Sequence, residues 1–208
     1  MLAIRGGFRY VRSVRRAKVL VGLTGVVLAF PLLAAGCRHK SKTPAEAFRR
    51  FADAVNAGDG GALFDALDQS TRWNWMSIQK FHREAYDIVL SNYPEGADRE
   101  REVRRFAPAA TASSARELFK TDAAPGLLPL RPLVLSEAPI QPGPGPDQAA
   151  AVLASGARVE LARGYDGGWG FAGLAKRAEE DKNRAYHDLE VVRASAADFE
   201  RAAARAGK

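Results

Sequence analysis

The sequence predicts an α+β fold, in which N-terminal helices pack on a small curved antiparallel sheet and a C-terminal helical segment comes after it. Three observations carry this expectation. Apolar residues recur at helical spacing from Phe48 to Val89, the i, i+3, i+4 pattern of amphipathic helices. Between residues 148 and 174 they alternate with a period of two, as half-buried strands require. From Lys176 onward helical spacing returns, with Tyr186, Leu189 and Val192 in a narrow stripe.

Taken in order, the chain opens on six basic residues, Arg5, Arg9, Arg12, Arg15, Arg16 and Lys18, and has no Asp or Glu before Glu46. No residue between positions 19 and 36 is ionisable, and Val19, Leu20, Val21, Leu23, Val26, Val27, Leu28 and Phe30 form an apolar stretch that gives way to small residues. Basic, then apolar, then small is the order of a secretory signal. The basic flank keeps the N-terminus inside, so the chain beyond the apolar stretch faces the periplasm or the exterior.

The stretch closes on Ala34-Ala35-Gly36-Cys37, which holds the only cysteine. These residues resemble the lipobox of bacterial lipoproteins, although Ala34 stands where that pattern most often has Leu. The resemblance implies cleavage between Gly36 and Cys37, thioether attachment of diacylglycerol to Cys37, and acylation of the new amino terminus. Residues 1–36 are then a signal peptide, 37–43 a lipid-anchored tether and 44–208 one domain. An uncleaved membrane helix and a plain secretory signal are the alternatives. A spanning helix needs about 20 apolar residues, and the 18 uncharged ones here, ahead of Arg38, Lys40 and Lys42, come close.

Removing residues 1–36 leaves 172 residues with 25 basic and 24 acidic side chains. A net charge of +1 supplies no electrostatic footprint for nucleic acid. A chain of this size buries a core without disulfides, and none can form once Cys37 carries lipid. Arg38, Lys40 and Lys42, beside that lipid, would each add about 1 kcal/mol of attraction to an anionic membrane surface.

Thr43-Pro44-Ala45-Glu46 is a capping box with Pro at the first helical position. The helix it opens sets Phe48, Phe51, Ala52 and Val55 on one stripe and ends at Gly58, suited to a left-handed cap. Asp59 caps a short second helix with Leu63, Phe64 and Leu67 inward, and Ser70 or Thr71 opens a third. This third helix, over residues 72–93, is the longest amphipathic segment and is expected to lie across the sheet, with Phe81 on its apolar stripe and His82 and Tyr86 at the flank. Ala47-Phe48, Phe51-Ala52 and Ala54-Val55, then Ala57-Gly58-Asp59 and the short Leu-rich helix, resemble the opening of the cone-shaped domains related to nuclear transport factor 2. That resemblance implies helices wrapped over a curved antiparallel sheet; it brings no catalytic residues, because the superfamily shares no single motif.

Residues 98–105 are charged nearly throughout and read as an exposed helix or ordered loop. Ser114 caps a short helix carrying Leu118 and Phe119. Pro125, Pro129 and Pro132 punctuate a Leu-rich segment over 127–135, which suits an edge strand, and the proline-rich 138–147 reads as a stiff loop. Val152 with Ala154, Val159 with Leu161, and Trp169 with Phe171, separated by Ser155-Gly156 and Asp166-Gly167, predict a three-stranded meander. Ser195-Ala196-Ala197-Asp198 looks like a fresh capping box that divides the C-terminal segment into two helices.

The chemistry is sparse. His82 and His187 have no second histidine within a helical turn, which argues against a histidine-based zinc site, and no metal or other cofactor is expected. The glycine-rich run over residues 164–170 sits between two strands, so it reads as a hairpin turn and not as a phosphate cradle. Asp87, four residues after Arg83, reads as half of an i,i+4 ion pair. Two functions remain. The first is a non-enzymatic binding or assembly module, held at a membrane through Cys37 and serving another envelope protein. The second is a small-molecule site or enzyme inside a cone, with Trp73, His82 and Tyr86 as candidate pocket residues at its mouth.

Overall fold

The computed structural model describes residues 40–127 and 138–206. The expected signal peptide, Cys37 and nearly all of the proline-punctuated segment over 127–135 lie outside the described residues, which all belong to the compact unit Arg38–Lys208.

Among the described residues six helices precede a four-stranded antiparallel meander and a seventh comes after it, an α+β architecture of the predicted class. Helix α1 (Pro44–Ala57) starts where Thr43 Oγ1 accepts the Glu46 N–H at 3.2 Å. The Glu46 carboxylate reaches back one residue further than a capping box requires and accepts the Lys42 N–H at 2.6 Å. Gly58 ends the helix at φ +66°, a conformation that costs glycine little and other residues more. Its stripe of Phe48, Phe51, Ala52 and Val55 is buried as expected. Helix α2 (Gly60–Ala66) is capped by Asp59 and buries Leu63 and Phe64, with Leu67 just beyond it.

Helix α3 (Gln69–Asn92) begins earlier than predicted, because the buried Asp68 caps it and Ser70 and Thr71 are donors to that carboxylate. Helix α4 (Ala97–Ala110) realises the charged segment as a helix, and α5 (Ala115–Asp122) and α6 (Ala124–Leu127) complete the helical half. Strand β1 (Ile140–Pro142), inside the segment expected to be a loop, pairs with β2 (Gln148–Val152), then come β3 (Arg158–Arg163) and β4 (Trp169–Phe171). The meander therefore has four strands, not three. Helix α7 (Ala175–Ala206) runs unbroken through Ser195. The expected second cap does not form, because the chain never leaves helical geometry there and Ala196 is buried in the helix packing.

The expectation that α3 covers the sheet is overturned. The partner of the sheet is α1, which packs on β2, β3 and β4, whereas α3 packs chiefly on α7 and α4. The inward face pairs Ala149 with Leu161, Ala151 with Val159 and Leu161 with Phe171. Its two alanines leave room for a close helix, and Phe51 stacks on Phe171 with ring centroids 4.1 Å apart. Helix α3 instead joins two cores. Its first half, through Trp75 and Ile78, enters the core of α1, α2, α5 and the sheet; its second half, through Ala85 and Val89, joins Phe106 of α4 and Leu189 and Val192 of α7.

The outer edge of β4 is sealed by two segments. Trp169 N–H donates to the Ser41 carbonyl at 2.9 Å, and Asp68 N–H donates to the Phe171 carbonyl at 2.9 Å. Backbone that would otherwise be an open sheet edge thus receives the incoming chain on one side and the α2–α3 junction on the other.

Candidate functional site

A cleft of about 600 Å³ opens where that incoming chain meets α2, the start of α3, the start of α5 and the β3–β4 hairpin. It is lined by Phe64, Leu67, Trp73, Met76 and Trp169 on the apolar side and by Gln69, Gln79, Ser113 and Ser114 on the polar side. Four basic residues, Lys40, Arg50, Arg72 and Arg116, face two acidic ones, Asp65 and Asp166. The volume is in the range of small-molecule sites.

Each charged group is positioned by a local device. Asp166 lies in the hairpin turn, where its Oδ1 accepts the Gly168 N–H at 3.1 Å and its Oδ2 meets Lys40 Nζ at 3.2 Å. The Gly168 N–H, aided by Lys40, outweighs partial burial and holds this carboxyl below its ordinary range, so it stays ionised. Gln69 anchors the same turn by accepting the Asp166 N–H at 3.2 Å. On the opposite wall Arg116 Nε donates to Asp65 Oδ2 at 3.1 Å. The Arg116 guanidinium passes so close to Gly61 that a Cβ there would collide with it, and a Cβ on Gly60 would sit 2.9 Å from Ala124 Cβ. Two helix-weakening glycines at the start of α2 therefore permit close approach of α5 and its arginine.

The structure does not bring Trp73, His82 and Tyr86 together. Trp73 lies at the cleft, 49% exposed. His82 stands nine residues further along α3, about 13 Å by helical rise, with its ring edge-on to Phe106 at 5.7 Å. Tyr86 packs against the α3–α4–α7 core. Burial lowers the His82 pKa below its ordinary value of 6.5, against the pull of Asp188, so the imidazole is neutral at pH 7. The Phe81 ring, expected in the core, packs edge-on to Tyr186 at the boundary, 5.4 Å away. Arg83 does not pair with Asp87; its guanidinium donates to the carbonyls of Ala110 and Ala112 at 3.2 and 3.1 Å and so satisfies the end of α4.

The sequence names none of Asp65, Arg116, Gln69, Lys40 and Asp166 as a site residue; Lys40 reads there only as a basic neighbour of the lipid and Asp166 only as part of a turn. The one local signal was Gly60-Gly61 inside a helix, which marks a close approach without saying of what. Among the described residues no three His, Cys, Asp or Glu side chains are grouped to hold a metal ion, and no helix is long and apolar enough to cross a membrane. Comparison with protein families, with curated proteins and with solved structures finds no match for this chain.

Proposed function

We propose that this protein is an envelope lipoprotein, anchored through acylated Cys37, whose domain is a non-enzymatic binding module with the cleft as its site for an anionic small molecule. The observation that carries this reading is the cleft itself: its volume, its excess of basic over acidic side chains, and its two carboxylates clamped by Arg116 and Lys40. Asp166, held below its ordinary range by the Gly168 N–H, suits fixed electrostatic recognition better than proton transfer, which needs a group titrating near the working pH. The two histidines among the described residues that precede and succeed the sheet, His82 and His187, lie outside the cleft. The packing of α1 on the sheet's inward face supports a site in the cleft beside the sheet edge over one inside a cone.

Two measurements test it. Intact mass spectrometry of membrane-extracted protein should show loss of residues 1–36 and gain of lipid, and Cys37→Ser should leave the precursor uncleaved. Thermal-shift screening with small carboxylates, phosphates, sulfonates and neutral analogues should show stabilisation by anionic compounds that Arg116→Ala weakens. Retention of residues 1–36 on the wild-type protein refutes the anchor; stabilisation indifferent to ligand charge refutes the cleft.

A further inference from the structure

Three large apolar side chains are exposed at the cleft end of the domain: Trp73 at 49%, Met76 at 56% and Tyr165 at 94%. Tyr165 crowns the β3–β4 hairpin, and Trp73 stacks over it with ring centroids 6.3 Å apart and planes inclined by 18°. The incoming chain is stitched to the same hairpin, through the Ser41 carbonyl at Trp169 and through Lys40 at Asp166. Between Lys40 and Cys37 there are three residue steps, at most about 11 Å of extended backbone. A lipid on Cys37 is therefore tied closely to the part of the fold that carries the exposed rings.

We infer that the Trp73–Tyr165 patch docks on the surface of the membrane leaflet that holds the lipid, an inference that rests on the anchoring of Cys37 proposed above. Tether length and charge favour a lipid surface over other occupants. The short tether leaves no room to carry the patch far from the headgroups. Trp and Tyr, each an apolar body with a polar edge, settle at the headgroup level of a bilayer. Lys40 lies beside the patch through its contact with Asp166, and the adjoining cleft, with Lys40 counted, has four basic residues against two acidic ones, a balance that complements anionic headgroups. Docked in this way, the cleft opens next to the headgroups, and its ligands reach it along the membrane surface.

The test uses the full chain, acylated and reconstituted into vesicles of phosphatidylcholine and phosphatidylglycerol, with a lipid nitroxide just below the headgroup as fluorescence quencher. Trp75 is buried and Trp169 half-buried, so the nitroxide should quench chiefly Trp73. Part of the wild-type emission should be quenched, that part should be largely lost in Trp73→Phe, and Tyr165→Ser should reduce it while leaving flotation with vesicles unchanged. Protein that floats but is insensitive to the nitroxide overturns the docking and leaves the anchor standing. Emission shielded from aqueous iodide yet insensitive to the nitroxide also overturns it, assigning the patch to a second copy of the chain. Protein that is neither acylated nor floated overturns the anchor and the docking together.

Discussion

Replacing Asp68 by Ala should destabilise the domain far more than removing an ordinary helix cap. Asp68 is 4% exposed, and its carboxylate accepts the Ser70 N–H at 2.9 Å, the Ser70 hydroxyl at 2.7 Å and the Thr71 N–H at 3.3 Å. Its other oxygen accepts the hydroxyl of Thr71, a residue with no exposure at all. Losing the cap costs about 0.5–2 kcal/mol, and leaving a buried hydroxyl without its acceptor costs about 1–3 kcal/mol. Asp68→Ala should therefore cost about 2–4 kcal/mol in urea denaturation of the fragment 38–208. Removing both partners abolishes the orphaned hydroxyl, so Asp68→Ala combined with Thr71→Val should cost less than the two single changes added together. Asp59→Ala, at an exposed cap residue that accepts only the Gly61 and Ala62 N–H groups and leaves no buried hydroxyl without its acceptor, should cost clearly less than Asp68→Ala. Equal losses at Asp68 and Asp59, or strict additivity of Asp68 and Thr71, would refute the argument.

Three further outcomes are expected. Gly170→Ala should cost about 1–3 kcal/mol, since its Cβ would lie 2.5 Å from backbone atoms of Asp68 and Leu67 that cannot swing aside; a melting temperature equal to wild type would contradict this close approach. Leu189→Ala, buried where α7 meets α3 and α4, should cost about 2–5 kcal/mol, and half-exposed Tyr186→Ala markedly less; the reverse order would mean that the seam lies elsewhere. Because burial lowers the folded-state pKa of His82 below 6.5 against the opposing Asp188 and Asp122, the unfolded chain binds the extra proton first. Stability should then be full above about 6.5 and be lost as pH falls towards the lowered folded value. His82→Gln should flatten that part of a pH series of urea transitions, and an unchanged slope would exclude His82 as its source.

Much of the fold was legible in local pattern. The stripe of α1, its Thr43 and Gly58 ends, the Asp59 cap and the β2–β4 turns at Gly156 and Gly167 depend on residues within a few positions of one another. Those devices act through backbone dihedrals and short-range hydrogen bonds. Local signals failed where a distant partner decided the outcome. Ser195 carries a good capping pattern, yet burial of Leu189, Val192 and Ala196 along one face outweighs a cap and keeps α7 continuous. The short, proline-containing β1 forms because the edge of β2 is there to pair with it.

The sequence by itself determined the α+β class, the helix periods, the alternation in β3 and β4 and the near neutrality of residues 37–208, because composition and nearest-neighbour spacing suffice for each; in β2 the inward face falls on Ala149 and Ala151 and not on the expected Val152 and Ala154, which lies in the turn. Only the tertiary structure decided which helix covers the sheet. A stripe records that a helix has an apolar face and not which face it meets, and the small Ala149 and Ala151 admit α1 while α3 is taken up by α4 and α7. The cleft is tertiary for the same reason. Lys40 and Asp166, 126 positions apart, and Asp65 and Arg116, 51 apart, meet only because the incoming chain closes the β4 edge and two glycines let α5 approach α2.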